Sequence, residues 1–215
     1  MGQIICYGED ALTYWAITSK LGDILRTLGD NSYPSATTII YRPSFGRRGR
    51  IGTHVDQEQL SAEFGEFDAI LGTQQAVYLV ESKWDSSSRP RADSITLKSV
   101  QSRRHEIMRW YIKTWRMSRP KDWITFVAQH ETTFQVLFPG NKLASADSRL
   151  AQNLEFVLKT LSKCGDHVQD VLLFFGQSGS QKPTEVKPTG IKLVVLEYKP
   201  LIPGGYFQIQ NLGTG

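Results

Sequence analysis

The chain has 215 residues, 40% of them hydrophobic and 21% charged, with 25 Lys and Arg against 21 Asp and Glu for a net charge of +4. That length suits one compact domain over residues 1–215 with a closed core, and the charge balance excludes both a disordered chain and a histone-like polycation. Cys6 and Cys164, without CxxC or Cys/His spacing, exclude a disulfide framework and a zinc finger. No apolar run approaches the ~20 residues of a membrane span, and no basic stretch leads into an apolar one at the start. A soluble, cytoplasmic protein with no membrane partner is expected.

In chain order, Leu12, Ala16, Ile17, Leu21, Ile24, Leu25 and Leu28 recur at helical steps behind the acidic pair Glu9-Asp10, which predicts a helix ending by Gly29. Residues 36–42, 67–71 and 76–84 have strand composition, the last two joined as a hairpin by Gly72-Thr73-Gln74-Gln75. Two basic, Gly-, Ser- or Pro-rich stretches, one with Arg47, Arg48 and Arg50 and one with Arg89 and Arg91, read as exposed loops. A long helix is expected over 94–117, a shorter one over 123–134 and another over 148–163 with Gly165 as its stop. Residues 171–175 and 191–198 suit buried strands around a polar loop, 178–190, and 206–209 an edge strand. The order α-β-β-β-α, further helices, then β-β implies an α/β fold with a mixed central sheet flanked by helices.

Within the hairpin the chain reads Glu66-Phe67-Asp68, then Val80-Glu81-Ser82-Lys83-Trp84. Side chains alternate along a strand, so Glu81 and Lys83 share a face at neighbouring pleats, and Asp68 reaches them if the sheet twists there. Paired carboxylates supply the hard oxygen ligands Mg²⁺ prefers, with Mn²⁺ as a substitute, and the ion retains waters that can attack a phosphodiester. Lys83 can then bind the phosphate as charge builds or orient the attacking water.

These residues, an acid followed by a strand ending in Glu-x-Lys, resemble the PD-(D/E)XK nuclease superfamily. The resemblance covers residues 8 to about 112. It implies a restriction-endonuclease-like core, α-β-β-β-α-β, and metal-dependent hydrolysis of DNA with Asp68, Glu81 and Lys83 as catalytic residues. It also implies an acidic ligand from the preceding helix, for which Glu9 is the match. A Gln near the site on the following helix corresponds to Gln101, or that place falls to the basic Arg103-Arg104-His105, where Arg104 would contact DNA and His105 lie at the surface or contact a phosphate. A restriction-like endonuclease, a symmetric homodimer if its target is palindromic, is the expected form. Phe67 replaces the family's Pro, and His105 stands where an exonuclease-like branch has Tyr.

Three alternatives bear on these residues. Acid-x-Lys occurs about once or twice by chance in a chain this long, and Glu185-Val186-Lys187 and Glu197-Tyr198-Lys199 repeat it. The latter runs into Pro200 and Pro203, which leaves no room for a following helix. Glu9 can simply offset a helix dipole, and the loop arginines can be solvated rather than bound to phosphates. A junction-resolving or repair nuclease, or a DNA-binding module that does not cut, would share the fold.

Overall fold

The computed structural model describes residues 3–46, 61–85, 93–201 and 206–210. In chain order its elements are β1 (Gln3–Cys6), α1 (Glu9–Ser19), α2 (Leu21–Leu28), β2 (Thr38–Tyr41), β3 (Ser44–Phe45), β4 (Gly65–Glu66), β5 (Ala69–Gly72), β6 (Ala76–Trp84), β7 (Ser94–Thr96), α3 (Ser99–Ser118), α4 (Trp123–Leu137), α5 (Arg149–Leu161), β8 (His167–Gln177), β9 (Glu185–Lys187), β10 (Lys192–Tyr198) and β11 (Phe207–Gln210). The fold is mixed α/β. Two compact units form, one from Met1–Arg42, Phe67–Lys98 and Gly165–Gly215, the other from Pro43–Glu66 and Ser99–Cys164.

The first unit is built on a five-stranded sheet in the order β10-β8-β6-β5-β2. β2, β5 and β6 are antiparallel neighbours, whereas β6, β8 and β10 run parallel. Central parallel strands are covered on both faces, which is why 171–175 reads as an unbroken apolar run; Val171 to Phe175 are all 0% exposed. One face of the sheet, with Ala69, Leu71, Tyr78, Val80, Trp84, Leu173 and Phe175, packs on Leu12, Ala16, Ile17, Leu21, Ile24 and Leu25 of α1 and α2. On the opposite face Leu172 and Phe174 meet Ile95, Leu97 and Val186.

The segment expected as one helix from residue 9 is two, interrupted at Lys20. Its apolar stripe crosses the break unshifted, so periodicity alone does not reveal it; the interruption falls two residues before Gly22, the poorest helix former of the segment. Gly29 closes α2 in the left-handed conformation, φ 75°. The helix expected over 94–117 begins at Ser99 instead, because Ser94–Thr96 pairs in parallel with β9. Ile95 and Leu97 alternate as on a strand and fill the small second core. β9 itself lies in the span expected to be loop, its buried Val186 too short a signal between exposed Glu185 and Lys187. β11 does pair, but with β1 rather than with the main sheet.

The turn between β5 and β6 is held from below by Asp30. Its buried carboxylate accepts from Thr73 Oγ1 at 2.6 Å and from the Tyr78 hydroxyl at 2.8 Å, and also takes the Ser32 N–H at 2.8 Å. Burial alone would raise the pKa of Asp30, but these hydrogen bonds outweigh it and hold the carboxyl below its ordinary value. Gly165 N–H donates to the Thr73 carbonyl in the same turn, at 2.9 Å.

Among its described residues the second unit is helical apart from the short β3–β4 ladder and an isolated bridge between Ser61 and Asn141. Ser148 and Asp122 cap α5 and α4 by accepting the N–H groups of Ala151 and Thr125. Tyr111, Trp115, Trp123, Phe126 and Phe134 form its aromatic centre, with Trp123 Nε1 donating to the Ala144 carbonyl at 2.8 Å. His105, expected at the surface or against a phosphate, is 2% exposed here, because its position on α3 lies on the same side as Met108 and Ile112. Among the described residues no helix is long and apolar enough to cross a membrane.

Candidate active site

β5 stops pairing with β6 at Ala69, opposite Val80, while β6 continues to Trp84. N–H groups alternate between the two edges of a strand, so Ser82 and Trp84 present theirs along one edge, the one β5 has vacated. Both are taken by carboxylates. Ser82 N–H donates to Asp68 Oδ2 at 2.7 Å, and Trp84 N–H to Glu9 Oε2 at 2.9 Å. Asp68 therefore sits just before the ladder, not inside a strand 67–71 as expected, and that offset lets its side chain reach the edge of β6.

Glu81 and Lys83 alternate with the core-facing Val80, Ser82 and Trp84, and stand in register beside Leu172 and Phe174 of β8. Glu81 is 2% exposed. Lys83 Nζ donates to the Ser82 carbonyl at 2.8 Å and lies 3.9 Å from Glu9 Oε1. Glu9 is thus no mere offset to a helix dipole, because its two oxygens meet the strand end that carries the Glu-x-Lys sequence.

The Asp68 carboxyl is pushed up to about 7, first by burial and then by the negative charge of Glu81, with Glu9 adding to it. The Ser82 N–H and the Lys83 ammonium oppose that rise without cancelling it. Asp68 thus feels both Glu81 and Glu9 in a poorly solvated place, an electrostatic setting that a divalent cation would relieve. Among the described residues no group of three or more His, Cys, Asp or Glu converges closely enough to hold an ion through protein ligands alone. Mg²⁺ does not need such a group, since it commonly takes one or two carboxylates and fills its remaining positions with water and phosphate oxygens. Asp68 and Glu81 fit that donor set, and Glu9 fits as an auxiliary carboxylate.

Several contributors are invisible to a motif reading. Thr13 Oγ1 bonds the Glu9 carbonyl at 2.9 Å and Ser82 Oγ at 2.7 Å. A hydroxyl has one proton, so Thr13 donates to Glu9 and Ser82 donates to Thr13. This pair ties the helix bearing Glu9 to the middle residue of Glu81-Ser82-Lys83. The only sequence signal for it is that Thr13 follows Glu9 by four residues and so shares its helix face. Replacing Thr13 by Val keeps the shape but leaves the buried Ser82 hydroxyl without its acceptor; a loss of about 1–3 kcal/mol is expected in denaturant unfolding, and the Thr13→Ser variant should recover most of it.

Arg42, also missed, donates its N–H to the Asp68 carbonyl at 3.1 Å, and its guanidinium pairs with Asp10. Its φ of 48° lies in the left-handed region that non-glycine residues seldom adopt. The competing acid-x-Lys sequences are spent elsewhere: Lys187 lies 3.4 Å from its own neighbour Glu185, and Glu197 pairs with Lys182. Gln101 and Arg104 lie half-buried on α3 of the second unit. Arg47, Arg48, Arg50, Arg89 and Arg91 fall outside the described residues. Comparison with protein-family models, with curated proteins and with solved structures finds no match.

Proposed function

We propose that the protein is a metal-dependent endodeoxyribonuclease of the PD-(D/E)XK kind. The observation that carries the reading is the gathering of Asp68, Glu9 and the Lys83 ammonium at the end of β6, with Glu81 close enough to raise the Asp68 pKa. The path of the chain supports it as well: α1 precedes the antiparallel run β2-β5-β6, and helices lead into the parallel β8, the α-β-β-β-α-β order of a restriction-endonuclease-like core.

In this reading Asp68 and Glu81 hold Mg²⁺ or Mn²⁺, and the ion supplies Lewis acidity toward the phosphate together with an acidified water. The chain's own residues do the rest. Lys83 offers an ammonium where negative charge grows on the phosphate, its position fixed by the Ser82 carbonyl and by Glu9. Glu9 holds the Trp84 amide and so keeps the end of β6 in place beside α1. Gln101 and Arg104, with Arg47, Arg48, Arg50, Arg89 and Arg91, are the proposed DNA contacts, and a homodimer is expected if the target is palindromic.

The test is cleavage of supercoiled plasmid and of branched DNA with Mg²⁺, Mn²⁺ or EDTA. The parent should cut only with metal, and Glu81→Gln and Lys83→Ala should each lose roughly a hundred-fold or more in rate. Failure of the parent on every substrate, or full activity of Lys83→Ala, would remove the nuclease assignment and leave a DNA-binding module as the stronger reading.

A further inference from the structure

Trp84 follows Lys83, and its amide is bound by Glu9, so its ring stands at the strand end that carries the candidate site. The indole is buried, with Nε1 donating to the Tyr198 hydroxyl at 2.6 Å, and that hydroxyl donates to Asp85 Oδ1 at 2.9 Å. On the outer side of the indole stands Tyr7, edge-on at 5.3 Å between ring centroids, and Tyr206 lies against Tyr7 at 5.1 Å. Tyr198 and Phe207 complete the support from within. Buried rings thus back two rings that face solvent, Tyr7 at 57% and Tyr206 at 46% exposure.

Tyr7 precedes Glu9 by two residues, with Gly8 at φ 92° turning the chain between them. Tyr206 immediately precedes the strand that pairs with β1, and its carbonyl accepts the Leu201 N–H at 2.7 Å. A pair of solvent-facing aromatic rings beside the candidate site matches a nucleobase that is not stacked in a duplex, because stacking on an aromatic ring needs a free π-face and is tolerant of base identity.

We infer that Tyr7 and Tyr206 form a stacking platform for an unpaired nucleobase adjoining the scissile phosphate, so that the substrate class is DNA with single-stranded character at the cut: a flap, a tail or a frayed end. This rests on the nuclease reading and specifies its substrate. A π-face is what the platform provides, and the tyrosine hydroxyls are not required.

Binding is measured with Ca²⁺ in place of Mg²⁺, using a fluorescent blunt duplex and the same duplex carrying a single-stranded tail of either polarity, with 2-aminopurine at the junction. The parent should prefer a tailed duplex and quench the 2-aminopurine. Tyr7→Leu with Tyr206→Leu should lose about ten-fold or more of the affinity for the tailed duplex, lose the quenching, and change little on blunt DNA. Tyr7→Phe with Tyr206→Phe should behave as the parent, which separates loss of stacking from loss of folding. Cleavage of plasmid by a parent whose Leu variant keeps the same tail preference and quenching overturns the platform and leaves the nuclease reading intact. A parent that neither cuts nor binds any of these DNAs overturns both.

Discussion

Asp68→Asn is expected to make the metal-free protein more stable above neutral pH while costing on the order of 10³-fold in cleavage. The stability gain follows from the direction of the pKa shift. The Asp68 carboxyl titrates near 7 in the folded chain against an ordinary value of 3.8, so between those values the folded state holds the proton and the unfolded state does not. Below about pH 4 both forms are protonated and this residue adds no penalty; as pH rises through 7 the penalty appears in full, on the order of 2–4 kcal/mol. Asn carries no charge to desolvate, and its carbonyl oxygen can still accept the Ser82 N–H. Unfolding curves at pH 5 and pH 8 in EDTA should therefore converge for the variant and diverge for the parent, which is weaker at pH 8. On the proposed nuclease reading activity should move the other way, because an amide would be a poor ligand for a divalent cation, whose contribution is typically several kcal/mol. Mg²⁺ should also raise the parent's stability at pH 8 more than at pH 5, since the ion competes with the proton. A variant that is less stable than the parent at pH 8 would show that Asp68 serves chiefly to hold the edge of β6.

Gly165→Ala is expected to be the most damaging added methyl among the described glycines, costing about 3 kcal/mol or more. A Cβ there would lie 2.0 Å from the Gln75 carbonyl carbon, 2.2 Å from its oxygen and 2.5 Å from the Ala76 nitrogen. All three are backbone atoms at the β5–β6 turn, which the hydrogen bonds of Thr73 and Tyr78 to Asp30 hold in place. Neither partner can move cheaply. The strain would pass into β6, the strand that bears Glu81 and Lys83, so thermal stability and cleavage should fall together. The measurement is a thermal melt beside plasmid cutting, and a variant within about 0.5 kcal/mol of the parent would mean that the turn yields easily.

Gly165 also shows how far a sequence can be read. Behind the last apolar turn of α5 it looks like a helix stop, and α5 does end nearby, at Leu161. Its tighter constraint comes from a turn some ninety residues earlier in the chain, and no local pattern encodes such a contact. The long helix expected from residue 94 fails for a related reason. Ser94-Ile95-Thr96 is strand because β9 lies beside it, and a three-residue ladder is settled by its partner more than by its own composition.

The chain's own pattern was sufficient for the elements whose period is long and whose burial is one-sided or complete. The helices from Glu9, Trp123 and Arg149 and the strands β2, β6, β8 and β10 follow from apolar spacing, because burying those side chains dominates the local choice. The placing of Glu81 and Lys83 on one face follows equally, from the alternation of a strand. Tertiary structure alone decided that β5 stops at Ala69, and so that the bared N–H groups of Ser82 and Trp84 receive Asp68 and Glu9. It also decided that Thr13 and Ser82 join the helix to the strand, and that Tyr7 and Tyr206 meet beyond Trp84. Periodicity records which residues leave water. Which buried or edge groups then satisfy one another depends on pairing between segments far apart in the chain, and that is set only when the sheet has closed.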